Sequence, residues 1–262
     1  MAPFDFEIWL NHFEHHARYA RSMPGEPSIR LSPEDRQRIA NSVATFQLGE
    51  QSEGHTLLKA AQRFARTRTM PALARICELL IREERRHAAQ LLAYMQDNHI
   101  APKRTDWTDR WFRRLRRLAG LELYLHVLIS AELIGIVYYR ALEKATPCPR
   151  LQALCRILVS DELAHVGFES QLILWLRSGR AAPVQGLMRG AHRAFFAGTA
   201  GVVWLTHREL LRHAGCSALS FLSVCLSQYD FYLEPVHATL APSSATPIGL
   251  REARNPLDGQ GR

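Results

Sequence analysis

Two short runs in this chain carry residue types at a spacing that can hold a metal. Arg82-Glu83-Glu84-Arg85-Arg86-His87 and Ser160-Asp161-Glu162-Leu163-Ala164-His165 each contain Glu-x-x-His, and each places a further acid directly before the glutamate. On an α-helix, positions i and i+3 share a face, so a carboxylate and an imidazole can approach one ion together. A single copy arises often by chance; two invite a test of register. Upstream of each copy, in an apolar helical stretch, stands one acid: Glu50 in Phe46-Gln47-Leu48-Gly49-Glu50, and Glu132 in Leu128-Ile129-Ser130-Ala131-Glu132-Leu133-Ile134-Gly135. The midpoint of Glu50 and Glu84 falls in Arg66-Thr67-Arg68-Thr69, just before Pro71, and that of Glu132 and Glu162 falls on Pro147. Two antiparallel helical hairpins therefore bring each glutamate level with its Glu-x-x-His, roughly 25 Å from the hairpin tip at about 1.5 Å per residue.

Four carboxylates gathered inside an apolar bundle must take up protons or bind cations, because an uncompensated buried charge is too costly. Two divalent ions balance Glu50, Glu84, Glu132 and Glu162, with His87 and His165 as neutral nitrogen donors. Mixed carboxylate and imidazole ligands suit iron or manganese, so the expected cofactor is two Fe ions, with Mn/Fe or Mn/Mn as alternatives. Glu83 and Asp161, each four residues before a histidine, are expected to accept an imidazole N–H on the same or the facing helix and so fix its tautomer. The competing reading of each is a solvated surface acid. Glu53, one turn after Glu50, reads as an extra ligand or gate, or equally as an interhelical hydrogen-bonding residue.

The elements that must position these residues follow from periodicity and breaks. An amphipathic helix over 4–21, with Phe6, Trp9, Leu10 and Phe13 on one side, precedes a Pro- and Gly-containing loop to Leu31. Its His12, His15 and His16 read as a polar face rather than a metal cluster. Ser32-Pro33-Glu34-Asp35 is a helix start, with a capping Ser, Pro at the first helical position and acids in the first turn. A first helix is expected to run unbroken from there to about Arg66, a second from Pro71 to near Asn98, a third from Gly120 to Ala145, and a fourth to Ser178-Gly179. The stretch 99–119 between the second and third is a crossover with its own basic helix, including Arg113-Arg114-x-Arg116-Arg117. Two short hairpins joined by one long crossover is the connectivity of a ferritin-like four-helix bundle, so the expected fold is all-α. The divisions are 1–31, an N-terminal helix and loop; 32–178, the bundle; 179–234, two accessory helices; and 235–262, a mobile tail rich in Ala, Pro, Ser and Gly.

The 262 residues suffice for one domain with a large core. Met1-Ala2-Pro3-Phe4-Asp5-Phe6-Glu7 lacks the layout of a signal peptide, and Leu121–Tyr139, though long and apolar, is interrupted by Glu122, His126 and Glu132. It reads as a buried helix rather than a transmembrane segment. Five scattered cysteines without Cys-x-x-Cys point to reduced thiols and a cytoplasmic setting, and exclude a rubredoxin-type iron site. The formal charge of +8 suits an anionic partner such as nucleic acid, but arginine-rich coding bias explains it as well.

Glu50, Glu84-x-x-His87, Glu132 and Asp161-Glu162-x-x-His165 resemble the ligand set of the ferritin-like di-iron carboxylate proteins, over residues 32–178. Gly49-Glu50-Gln51, Glu132 followed by Tyr139, and Asp161-Glu162-x-x-His165 are similar to aldehyde-deformylating oxygenases, and Gly49-Glu50 also to rubrerythrin. The resemblance implies that Glu50 and Glu132 each bind one metal and that Glu84 and Glu162 bridge the pair. The flanking helices and the long crossover belong to neither pattern.

Phe46, Leu57, Leu128, Ile129 and Ile136 are expected to line a cavity beside the metals. Gly54 and Gly135, each about a turn beyond a ligand glutamate, leave room there for substrate or O2, or else allow close helix packing. Tyr139, two turns from Glu132, could donate a proton. The expected function is an O2-dependent di-iron oxygenase or oxidase acting on a small apolar molecule, with an external electron donor and a homodimer through the C-terminal helices. The alternatives are a ferroxidase or peroxidase of the ferritin–rubrerythrin type and a tRNA-base hydroxylase, the last resting on the arginine cluster.

Overall fold

The computed structural model describes residues 4–22, 31–51, 54–68, 70–107, 110, 114 and 120–234. The described residues are all-α, with eight helices: α1 (Phe6–Arg18), α2 (Pro33–Glu50), α3 (His55–Arg68), α4 (Pro71–Asp97), α5 (Leu121–Ala145), α6 (Pro149–Arg177), α7 (Ala182–His213) and α8 (Ala218–Leu233). Local chemistry sets their starts. The Asp5 side chain accepts from the amides of Glu7 and Ile8, and Ser32 Oγ accepts from Asp35 N at 3.0 Å. Proline occupies the first turn of α2, α4, α6 and α7, where its missing N–H costs nothing.

Cross-helix contacts show both hairpins to be antiparallel, since one residue number falls as the other rises. Gln47 Nε2 donates to Ala88 O, while seven residues later Gly54 meets Ile81. On the other pair, Glu143 bonds Arg156, and Glu122 bonds Arg180. Further packing joins α4 to α6 and α3 to α5. Helix α1 lies on α4, α7 covers α5 and α2, and α8 packs on α5, α6 and α7. Leu73, Ile76, Leu80, Leu133, Leu158 and Leu172 are 0–1% exposed along the resulting core. Each such side chain contributes about 1.5–3 kcal/mol by leaving water.

One expectation of continuity fails. The helix drawn from Ser32 to Arg66 is two helices, α2 and α3, broken after Glu50. Gly54 has φ +63, and a Cβ there would stand 2.5 Å from Ile81 Cγ1. The break thus needs a left-handed residue without a side chain, and Gly54 is a junction rather than a helix-interior gap. Glu53 lies outside the described residues, as do Arg113, Arg116, Arg117 and residues 235–262.

Helix α5 is long and apolar enough to cross a membrane, and α7 with α8, bent by 112° at their junction, passes the same test as a pair. In α5, 83% of the apolar window is buried against neighbouring helices, which accounts for its composition. All five cysteines are buried free thiols.

Candidate metal centre

Glu50 ends α2, Glu84 and His87 stand on α4, Glu132 on α5, and Glu162 and His165 on α6. The hairpins bring all six together. Nδ1 of His87 lies 3.3 Å from Glu162 Oε1 and 3.9 Å from both Glu50 Oε2 and Glu84 Oε1. Nδ1 of His165 lies 3.1 Å from Glu84 Oε1, 3.3 Å from Glu162 Oε2 and 3.9 Å from Glu132 Oε1. Glu84 and Glu162 therefore reach both histidines, whereas Glu50 serves one and Glu132 the other. Two groups result, Glu50/Glu84/His87/Glu162 and Glu84/Glu132/Glu162/His165, and within each the ligand atoms lie within 4.8 Å of one another.

The protein alone leaves this cluster unsatisfied. Nδ1 of both histidines, both Glu132 oxygens, Glu84 Oε1 and Glu162 Oε2 are buried without a hydrogen-bond partner. Such atoms are costly, and several converging on one point fit the binding of cations by these residues. Electrostatics show what the metal-free cluster does instead. Burial, with the charges of Glu84 and Glu162, pushes the Glu50 carboxyl well above the usual range, and burial with Glu169 does the same to Glu132. For Glu162, burial acts upward but is outweighed by His165 and His87, which pull it down to about 2. The histidines respond reciprocally: burial would lower them, yet Asp161 and Glu162 raise His87 to about 10, and Glu162 raises His165 well above its ordinary value. Protons on imidazole and carboxyl thus hold the places that cations would take.

Behind the cluster, the two histidines trade partners. Nε2 of His87 lies 3.2 Å from Asp161 Oδ2, and Nε2 of His165 lies 3.3 Å from Glu83 Oε2. Each acid serves the facing helix, and the Arg86 guanidinium bridges both, at 3.0 Å from Asp161 and in a close ion pair with Glu83. Burial acts upward on the Glu83 carboxyl but is outweighed by His16, His165 and Arg86 beside it, which hold it far below the usual range. Asp161 and Glu83 are 2% and 4% exposed, so the surface-acid reading is set aside for both. His16, Glu83 and Asp161 also have ligand atoms close enough to share an ion, but Arg86 already supplies the positive charge there.

Two details depart from the pattern read in the sequence. His12 and His16 turn inward instead of forming a polar face. His12 Nε2 is buried without a partner, burial lowers its pKa to about 4, and His16 Nδ1 stands 3.9 Å from Glu83. Glu169, one turn after His165, was not among the expected residues. It is 0% exposed, neither of its oxygens makes a hydrogen bond, and its carboxyl meets that of Glu132. Its i+4 spacing from His165 was the available signal, but Glu-x-x-His does not extend that far.

A cavity of about 170 Å³ opens beside the cluster, with Glu50, Glu84, Glu132 and Glu162 in its wall. Phe46, Gly54, Leu57, Leu128 and Gly135 line it. Ile129 and Ile136 do not; both are 0% exposed in the core. On α5 the cavity face runs through Tyr124, Val127, Ala131 and Gly135, to one side of Glu132. At about 100° per residue, Ile129 and Ile136 lie on the other side. Gly135 has room to spare, since an added Cβ would meet only Tyr139 Cε2, at 3.9 Å. The opposite wall is α7, through Thr199, Val202, Val203, Thr206 and His207. His207 sits where α7 departs from helical geometry (φ −112, ψ 17), and its Nδ1 lies 2.8 Å from Ser42 Oγ. The Tyr139 hydroxyl donates to Glu50 Oε1.

Compared with protein-family models, curated proteins and solved structures, the chain matches none.

Proposed function

We propose that Glu50, Glu84, His87, Glu132, Glu162 and His165 hold two iron ions, or a manganese-containing pair, and that the protein is an O2-dependent oxidoreductase acting on a small apolar molecule. The observation that carries this reading is that the two four-residue groups share Glu84 and Glu162 and form part of an apolar cavity wall. The donor set fits: four carboxylates offset two divalent charges, and oxygen with imidazole nitrogen suits iron or manganese. Reduced metals of this kind supply electrons to O2. On this reading the bundle is of the ferritin-like type, and the protein would draw on an external reductant.

The chain's own residues do the rest. Asp161 and Glu83 hold Nε2 of each histidine, so that Nδ1 faces the metals. Tyr139 holds Glu50 by its hydroxyl and stands in the cavity wall, where it can pass a proton. The apolar lining keeps bulk water from the reacting atoms. An engineered cavity of about 150 Å³ holds benzene. The space here, about 170 Å³, therefore favours a single ring or a short aliphatic chain.

Anaerobic loading with Fe(II), followed by measured additions of O2, tests the reading. An oxygenase stops after one or two O2 per chain and resumes only with an apolar substrate and a reductant. Continuous oxidation of excess Fe(II) to a mineral indicates a ferroxidase and contradicts it.

A further inference from the structure

We infer that Glu169 is a seventh protein ligand, serving the ion beside His165 and making the two halves of the centre unequal. The inference rests on the two-metal reading above. Glu169 is fully buried, neither oxygen has a hydrogen-bond donor, and its carboxyl lies against that of Glu132, the glutamate reserved to the His165 half. Two buried carboxyl groups in contact must share either a proton, as the metal-free cluster does, or a cation, and a cation is what the glutamates and histidine beside them can hold. Glu84, Glu162 and His165 are also among the charges that act on Glu169, so it faces this group rather than a separate one.

The other half offers no counterpart. The position one turn after His87, matching Glu169 after His165, is Leu91, which is 0% exposed. The His87 half thus has Glu50, Glu84, Glu162 and His87, and Glu50 is already engaged by the Tyr139 hydroxyl. The His165 half has Glu84, Glu132, Glu162 and His165, to which the assignment adds Glu169. Glu169 is not part of the cavity wall, so it reaches its ion from the packed side and leaves the cavity side free. With fewer protein donors, the His87 half is the one with more room for an exogenous oxygen ligand.

The alternative role for Glu169 is a protonated carboxyl that donates a hydrogen bond to Glu132. Glu169→Gln separates the two, because an amide keeps that hydrogen bond but is a poorer ligand. Metal-free wild type and variant are titrated anaerobically with Co(II), following both affinities by calorimetry and the coordination by visible absorption. The expected result is two ions in wild type and, in the variant, one unchanged affinity and one weakened by more than about tenfold, the lower end of what losing a supporting group costs. The absorption of the weakened equivalent alone should shift towards lower coordination. Unchanged affinities and spectra for both ions overturn the inference while leaving the two-metal reading intact. A wild type that takes up no cobalt overturns that reading, and this inference with it. Should the variant fail to fold, crystals of zinc-loaded wild type decide directly: a Glu169 oxygen at about 2.0–2.2 Å from an ion supports the assignment. No Glu169 oxygen in contact with either ion ends it.

Discussion

Asp161 Oδ2 lies 3.2 Å from Nε2 of His87, on the facing helix, and Glu83 makes the reciprocal contact to His165 at 3.3 Å. Each half of the chain thus orients the histidine of the other, and Arg86 ties the two acids together. Asp161→Asn should therefore weaken the ion beside His87, and Glu83→Gln the ion beside His165, each by about 10–100-fold. Two-step titration against a chromophoric chelator checks this. If each variant weakened the ion nearest its own motif instead, the crossed arrangement would be wrong.

Metal-free protein should lose stability as pH rises. His87 has its folded pKa raised from 6.5 to about 10, so its contribution is full below 6.5 and disappears as pH climbs towards 10. Glu50, Glu132 and Glu169, also raised, hold protons that the unfolded chain has released above about 4.5. The folded state then binds more protons than the unfolded one, and the slope of stability with pH is negative. The metal-free melting temperature should fall steadily from about pH 6.5 to about pH 10. Metal uptake, which displaces those protons, should acidify an unbuffered solution. A metal-free melting temperature that rises over this range contradicts the account.

Gly54→Ala and Gly135→Ala are the same substitution with opposite expected outcomes. At Gly54 the new methyl meets Ile81 at 2.5 Å on a backbone with φ +63, so about 1–3 kcal/mol should be lost. At Gly135, inside α5, nothing lies closer than 3.9 Å, and helix propensity should return up to about 1 kcal/mol. Urea unfolding of the metal-free variants measures both. Gly135→Ala should also exclude the largest substrates that wild type accepts, because its methyl occupies the cavity.

Tyr139→Phe removes the hydroxyl that donates to Glu50. A buried acceptor deprived of its donor costs about 1–3 kcal/mol. The variant should be destabilised by that amount in urea and still bind two metals, since Tyr139 is not a ligand. Loss of one metal would instead make Tyr139 part of the coordination.

The six clustered residues were legible because two periodicities agree: i,i+3 spacing within a helix, and mirror placement about Arg66–Thr69 and Pro147. Both are local or nearly so. The break after Glu50 was not, because in the sequence Gly54 fits a helix interior equally well, where a glycine leaves open space or lets helices pack closely. What makes it a junction is Ile81, which reaches it only once the hairpin closes. Thr199, Val202 and Val203 were missed for a related reason, since an apolar helix does not declare which neighbour it will cover. Ile129 and Ile136 are apolar and close to Glu132 along α5, but the sequence does not show that α7 and α2 set the open face to the other side of that glutamate. Glu169 lies one turn past the motif, where the Glu-x-x-His spacing does not point to it.

Metal content after anaerobic loading and removal of excess tests the central claim most directly. The chain should retain two iron or manganese ions, and a variant with Glu84→Ala and Glu162→Ala, the two carboxylates shared between the halves, should retain none while keeping its helical content. A wild type that retains no metal, or a double variant that retains two, would contradict the account.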